Sequence, residues 1–194
     1  LGGQSVKLAA VGHDGTIHLR RQSPIDTSRP AGRISDLILA ELKAITDQAA
    51  EQGLKPTAAA MVMPGYMDRD RSRLLMAANL PTLGGTDFLD SIKKASPLPI
   101  LFDADSNAAT FGEYRFGAGR GVKRLIVAAI GTGIGAGVMI DGEILRIWNH
   151  IAGSLGHLII DARGPKCKCG ARGCIEALAS GPALERRATE LAES

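Results

Sequence analysis

The stretch GHLIIDARGPKCKCGARGCIE, residues 156–176, carries the strongest pattern in this chain of 194 residues. It contains all three cysteines of the chain, and nine residues separate His157 from Cys167. Zn²⁺ in structural sites takes four nitrogen or sulfur ligands tetrahedrally, and the glycines of this stretch permit turns tight enough to bring three sulfurs together. Four protein ligands leave no open position on the metal. We therefore predict a structural zinc ion bound by His157, Cys167, Cys169 and Cys174.

The spacing of the cysteines excludes a disulfide framework. Such a framework uses an even number of cysteines spread along a small secreted chain, whereas here three fall within eight residues. The alternative to a metal site is three reduced thiols beside an unrelated histidine. The metal is favoured because three thiols within eight residues more often hold a metal. The positive charges of Lys166, Lys168 and Arg172 would offset the charge of three thiolates.

Two glycine-rich turns are candidates for phosphate binding. Gly131-Thr132-Gly133-Ile134-Gly135 lies between two apolar strand candidates, and Gly2-Gly3 precedes a third. Glycines at a strand turn let backbone N–H groups approach phosphate oxygens, and the threonine adds a hydroxyl donor. A β-turn that needs positive φ explains either turn equally well. A strand follows the longer turn, which excludes the dinucleotide-binding fingerprint, and the P-loop sequence is absent.

A third feature is Asp103-Ala104-Asp105-Ser106-Asn107, at the junction of a predicted strand and a predicted helix. A carboxylate at such a junction is a candidate general base beside a substrate hydroxyl. An aspartate at a helix N-terminus is also a common cap. The residues alone leave both roles open.

The order of these features resembles the ROK family, whose name abbreviates repressor, open reading frame and kinase. That order is a glycine turn, an aspartate at a strand–helix junction, a second glycine turn, Gly-His, and the run Cys-x-Cys-Gly-x-x-Gly-Cys-x-Glu. The resemblance covers the whole chain and is most specific over residues 153–176. Members of the family include bacterial glucokinases, fructokinases, N-acetyl amino-sugar kinases and sugar-responsive repressors.

The resemblance implies an α/β protein with the actin-like (ribonuclease H-like) ATPase fold and two lobes. Residues 1–118 would form a small N-terminal α/β lobe. Residues 119–194 would form the first part of a larger C-terminal lobe, which carries the zinc loop and is incomplete in this chain. The first strand candidate looks clipped and the last helix unfinished, so we expect a piece of a longer protein.

The implied activity is phosphoryl transfer from ATP, with Mg²⁺, to a hydroxyl of a hexose or an amino sugar. Asp105 would be the catalytic general base. His157 would bind zinc through one ring nitrogen and offer the other N–H to a sugar hydroxyl. The implied sugar-binding residues are Gly65, Asn79, Asp105, Ser154, His157 and Glu176, and the implied phosphate-binding residues are Gly2, Gly3, Gln4, Thr132, Gly133 and Gly135.

Three departures from the family pattern keep other functions open. Ala104 replaces the asparagine that usually precedes the base, Ser154 replaces a usual glutamate, and Gln4 replaces a usual threonine. A lost hydrogen bond costs about 1–3 kcal/mol when it leaves a buried partner unpaired. The alternatives are a sugar-sensing transcriptional regulator and a catalytically weak sugar-binding protein. The intact glycine turn at 131–135 favours the kinase, because a sensor does not need to bind phosphate.

Composition sets the remaining expectations. Lys+Arg 23 against Asp+Glu 20 gives a net charge of +3, too small to favour nucleic acid or an acidic membrane as a partner. No apolar run approaches the ~20 residues that span a bilayer, and the first residues do not read as a signal peptide. We expect a cytoplasmic homodimer whose partners are a sugar and ATP, with no membrane and no nucleic-acid partner.

Local patterns predict individual elements. Apolar runs predict strands at Leu125–Ile130, Gly135–Ile140 and Leu158–Ile160, and polar residues with two prolines predict a loop over Gln22–Gly32. A helix is expected from about Ser106 to Phe116.

Overall fold

The computed structural model describes residues 1–2, 4–77, 80, 82–146 and 154–193, and these form α-helices and β-strands in alternation. The prediction of an α/β protein is therefore confirmed. The chain separates into two compact units, Leu1–Asp105 and Ser106–Ser194. This division falls after the first residue of the helix Asp105–Phe116, whereas the lobes predicted from the sequence divide beyond that helix, at residue 118. The assignment of lobes stays a prediction.

The first unit contains six strands and two helices within its described residues. Strands β1 and β2 pair antiparallel, β3 and β6 pair parallel, and β4 and β5 form a short antiparallel ladder. In chain order the elements are β1 Ser5–Val11, β2 Ile17–Pro24, α1 Ala31–Glu51, β3 Ala59–Met63, β4 Tyr66–Met67, β5 Leu74–Met76, α2 Phe88–Ala95 and β6 Ile100–Ala104.

Strand β2 is longer than the sequence predicts. Gln22 pairs with Lys7 and Ser23 with Val6, so the first residues of the predicted loop belong to the ladder. Polar residues are compatible with this strand because alternate side chains of an antiparallel pair face solvent. The Ser23 hydroxyl donates to the Glu41 carboxylate of α1 at 2.7 Å. The prediction of a loop from residue 22 was wrong for residues 22–24.

The core of the first unit forms around one face of α1. Ile34, Ile38, Leu42 and Ile45 recur at helical spacing and are all buried. This face packs against β1, β2 and α2. Burial of each such side chain contributes about 1.5–3 kcal/mol, so the apolar stripe of α1 is a main source of the unit's stability.

The second unit is built on a three-stranded antiparallel sheet, β7-β8-β9. The turn between β8 and β9 uses Asp141 and Gly142, both at positive φ (49° and 88°), which suits a two-residue hairpin. In chain order the elements are α3 Asp105–Phe116, β7 Arg124–Ile130, β8 Ile134–Ile140, β9 Glu143–Ile144, a 3₁₀ turn Leu155–His157, α4 Ile175–Ala179 and α5 Gly181–Ala192.

The predicted strand at Leu158–Ile160 is not present. The segment makes a single antiparallel β-bridge, between Ile159 and Cys174. Its apolar residues are typical of a strand, but its backbone hydrogen bonds go to the cysteine loop. The Ile160 N–H donates to the Gly173 carbonyl there at 2.9 Å. A run this short with one bridge does not form a ladder.

None of the helices within the described residues combines the length and the apolar character needed to cross a membrane.

Helix α3 and strand β8 approach each other closely at Gly137. A Cβ atom at this position would lie 2.6 Å from the Ser106 carbonyl oxygen and would overlap the hydroxyl of Thr110, which is fully buried. That hydroxyl donates to the Ser106 carbonyl at 2.8 Å, so it has little freedom to move away. Only glycine fits at position 137.

We predict that Gly137→Ala lowers the free energy of unfolding by about 1–3 kcal/mol, because the added methyl group has no space. The matched control is Gly112→Ala on α3, where a Cβ would meet no atom within 4 Å. That change should raise the free energy of unfolding by about 0.5–1 kcal/mol, since alanine is the better helix former. Denaturant titration of the full-length protein measures the free energy of unfolding of both variants. Equal changes in the two variants would contradict the close approach of α3 to β8.

Candidate functional site

The four predicted zinc ligands come together. One ligand atom from each of His157, Cys167, Cys169 and Cys174 lies within 4.8 Å of the others. The Sγ atoms of Cys169 and Cys174 are 3.7 Å apart, and Cys167 Sγ is 3.7 Å from Nδ1 of His157. Tetrahedral zinc with bonds of about 2.0–2.3 Å would hold its ligand atoms roughly 3.6–3.8 Å apart. Both of these distances match that spacing and the remaining pairs lie within 4.8 Å, so the four residues fit such an ion after a small contraction.

Glycines allow the cysteine loop to fold back on itself. Cys167 N–H donates to the Ala171 carbonyl at 2.8 Å, and Gly170, at φ 97°, donates to the Cys167 carbonyl at 3.0 Å. Gly173, at φ 67°, packs directly against the Asp161 carbonyl, where a side chain would overlap it. The loop therefore reaches its four-ligand arrangement through backbone conformations that other residues rarely adopt.

Two of the thiols have pKa values shifted in opposite directions by their surroundings. Burial raises the pKa of the Cys174 thiol to about 12, and the neighbouring sulfurs of Cys169 and Cys167 add to the shift. The backbone N–H of Ala171 lowers the pKa of Cys169. Without a cation, Cys174 would remain protonated at neutral pH. A bound divalent metal would stabilise the thiolates, which is the usual coupling of metal binding to cysteine deprotonation.

The two aspartates at the end of β6 differ in their surroundings. Asp103 Oδ2 lies 3.6 Å from the Arg71 guanidinium, and its Oδ1 accepts the Ala104 N–H at 2.8 Å. Arg71 has φ 54°, a left-handed conformation that is uncommon outside glycine. Asp105 is the first residue of α3. Asp103 is therefore held by an arginine from the segment between β4 and β5.

Sequence reasoning missed Arg71. Arginine alternates with polar residues over residues 68–73, and this was the signal available in the sequence. The same pattern is also typical of an exposed turn. Nothing in that pattern identifies Asp103 as the partner.

Glu176 contacts the glycine turn. Its Oε2 accepts the Ile134 N–H at 2.9 Å, and a Cβ on Gly133 would lie 2.6 Å from the same oxygen. The turn is closed by a hydrogen bond from the Gly131 N–H to the Gly133 carbonyl at 2.9 Å. The sequence predicted a sugar contact for Glu176 and did not predict this one, which joins residues 42 positions apart.

The other predicted site residues are placed as follows. Gly65 has φ 131° just after β3, and Gly2 N–H donates to the Ser5 carbonyl at 3.0 Å. Ser154 precedes the 3₁₀ turn that contains His157. Two predicted residues, Gly3 and Asn79, lie outside the described residues. The roles assigned to the remaining residues of the two glycine turns, Gln4, Thr132 and Gly135, stay predictions.

The sequence model of the ROK family matches residues 1–194, so the chain belongs to the ROK family. The glucokinase of Thermotoga maritima is 32% identical over 190 residues, which cover 96% of this chain and 57% of that protein. The xylose repressor of Bacillus subtilis is 30% identical over 171 residues, covering 88% of this chain and 44% of that one.

Among solved structures, a ROK family glucokinase from Streptomyces griseus, in complex with glucose and AMPPNP, superposes with a TM-score of 0.83. It is 32% identical, and the match covers 100% of this chain and 59% of that one. The chain thus spans less than two thirds of the length of each of these relatives. The family prediction is confirmed, and the chain shares the fold of the matched part of that glucokinase.

Zinc binding can be tested at Cys169. The protein purified without chelator should contain one zinc per chain, and Cys169→Ser should lower this well below one, because a hydroxyl is a poor replacement for thiolate. Ala162→Ser is the matched control, since it adds a hydroxyl at another exposed position of the loop and removes neither a ligand nor a charge. Elemental analysis measures all three. A wild-type protein with far less than one equivalent would contradict the site.

Proposed function

We propose that the chain belongs to an ATP-dependent sugar kinase that phosphorylates a hydroxyl of a hexose or an amino sugar. The observation that carries the proposal is the match along the whole chain to a glucokinase whose complex holds glucose and an ATP analogue. Two local features support it. Asp105 opens α3 directly after β6, and the glycine turn at 131–135 is intact.

In this proposal Asp105 orients the sugar hydroxyl and takes its proton as the phosphoryl group is transferred. Such general-base catalysis contributes about 10²–10⁴-fold in rate. The backbone N–H groups of the glycine turns would hold the phosphates of ATP. Mg²⁺ bound with ATP would neutralise charge on the transferring group. The arrangement of these groups, more than covalent chemistry, would supply the rate.

The metal centre has a structural role in the proposal. His157 would bind zinc through Nδ1, the nitrogen that faces Cys167, and this fixes the orientation of the ring. The other ring nitrogen would then donate to a sugar hydroxyl. Zinc would supply no chemistry to the reaction, because four protein ligands occupy its coordination sphere.

The other residues proposed to contact the sugar are Gly65, Asn79, Ser154 and Glu176. Homodimer formation and a cytoplasmic location stay predictions.

The base can be identified by comparing two amide variants. Asp105→Asn should reduce kcat by about 10²–10⁴-fold, since the amide cannot accept the proton, while sugar affinity stays within about tenfold. Asp103→Asn, the control, keeps an oxygen for the Ala104 N–H and should retain most turnover. Steady-state kinetics and sugar calorimetry on the full-length enzyme measure both. An inactive Asp103→Asn beside an active Asp105→Asn would place the base two residues earlier.

A sugar-sensing regulator is the second candidate, and the identity with the xylose repressor favours it. The departures at Ala104 and Ser154 add the option of a weak catalyst that mainly binds sugar. A phosphorylation screen of the full-length protein with ATP and a panel of hexoses and amino sugars separates these functions. Sugar binding without any phosphoryl transfer would support a sensor.

The two departures can be reversed. Ala104→Asn and Ser154→Glu should tighten the binding of glucose-like sugars, because each restores a polar group that family kinases direct to a hydroxyl. A single good contact of this kind is worth about 1–3 kcal/mol, or roughly 5–150-fold in affinity. Calorimetry with glucose, mannose and N-acetyl sugars measures the change. If no hexose binds more tightly, the pocket is built for another ligand.

A further inference from the structure

Three segments of the second unit hold the glycine turn Gly131–Gly135. The carboxylate of Glu176 accepts the Ile134 N–H at 2.9 Å. At the other end of the turn, the Gly181 N–H donates to the Gly131 carbonyl at 2.8 Å. Gly156 packs against the Ile134 carbonyl so closely that a side chain would overlap it. The turn is therefore held at both ends by groups distant in sequence.

The contact made by Glu176 differs from a helix cap. Glu176 lies in the first turn of α4, a helix of five residues, where an acidic side chain commonly interacts with the N–H groups of its own helix. Its Oε2 instead reaches Ile134. At 2.9 Å this hydrogen bond joins α4 to the turn and restrains the backbone there.

The residues that hold the turn are close neighbours of the metal ligands. Cys174 is the N-cap of α4, two residues before Glu176, and His157 directly follows Gly156. The two ligand-bearing segments are joined by a hydrogen bond from the Ile175 N–H to the Leu158 carbonyl at 3.0 Å. A metal that binds His157 and Cys174 would thus fix the positions of Gly156 and Glu176.

We propose that Glu176 is a positioning residue for the glycine turn, and that metal binding by the cysteine loop holds it in place. Metal loading and the geometry of the turn are then coupled through Glu176. The phosphate role of the turn rests on the proposed function, but the coupling does not. Any contact of Glu176 with a sugar hydroxyl would then be made by a carboxylate that already accepts the Ile134 N–H.

Hydrogen exchange tests the coupling without any need for turnover. In the zinc-loaded full-length protein the Ile134 amide should exchange slowly. Glu176→Ala, with zinc still bound by elemental analysis, should accelerate this amide about tenfold or more, since its acceptor is lost. Glu176→Gln keeps a carbonyl acceptor and should stay within about threefold of wild type. Glu185→Ala, an exposed glutamate on α5, is the control and should change nothing.

Zinc removal by a chelator should accelerate the same amide in wild type and have little further effect on it in Glu176→Ala. Amides of β7 and β8 beyond the turn report whether the sheet stays folded. If chelation unfolds the sheet, the test rests on the exchange rate of the Ile134 amide in the zinc-loaded Glu176→Ala variant. An Ile134 amide that exchanges at the wild-type rate in that variant would overturn the proposal.

A second measurement separates this proposal from the kinase function. Calorimetry with AMPPNP should show weaker binding by Glu176→Ala, by about tenfold, with affinity largely recovered in Glu176→Gln. If wild type binds no AMPPNP while the exchange results hold, the kinase proposal fails and the coupling stands. If AMPPNP binds and the exchange of Ile134 is indifferent to Glu176, the coupling fails and the kinase proposal stands.

Discussion

The cysteine loop of the second unit is organised around the convergence of one imidazole nitrogen and three sulfurs, whose atoms lie within 4.8 Å of one another. The elements around this cluster are short: a 3₁₀ turn of three residues, one β-bridge and a helix of five residues. Elements of this size bury too little apolar surface to persist by packing alone. A metal bound to all four ligands would supply the missing cross-links, because its binding free energy acts as folding free energy.

The first unit is stabilised in a different way. Its long helix α1 places a buried stripe against two strands and α2, and the described core continues through Phe88, Leu89 and Ile92. Such a core is non-directional, so it tolerates changes that preserve volume. A metal site with four ligands would be directional and would not tolerate such changes. The two halves of the chain should therefore respond differently to substitution: gradually in the first unit and abruptly in the cysteine loop.

These two kinds of stabilisation explain what the sequence allowed us to predict. The apolar residues of α1 recur at helical spacing in the sequence, and the spacing of His157 and the three cysteines predicted a cluster that the structure brings together. The order of the motifs indicated the family. The misassigned segments lack such signals. Gln22 and Ser23 look like a loop because β2 is exposed there, and Leu158–Ile160 looks like a strand although its partner is an irregular loop. The contacts of Arg71 with Asp103 and of Glu176 with Ile134 depend on tertiary placement, which no local pattern records.

The close approach of α3 to β8 also limits which substitutions this protein can accept during evolution. At position 110 a smaller hydroxyl residue would keep the bond to the Ser106 carbonyl, so that site has some freedom. Position 137 cannot accept a side chain, because a Cβ there would lie 2.6 Å from that same carbonyl oxygen, which belongs to the backbone. Shrinking Thr110 cannot compensate for a backbone obstacle. Homologues that keep this helix–strand distance should therefore vary at 110 while position 137 remains glycine.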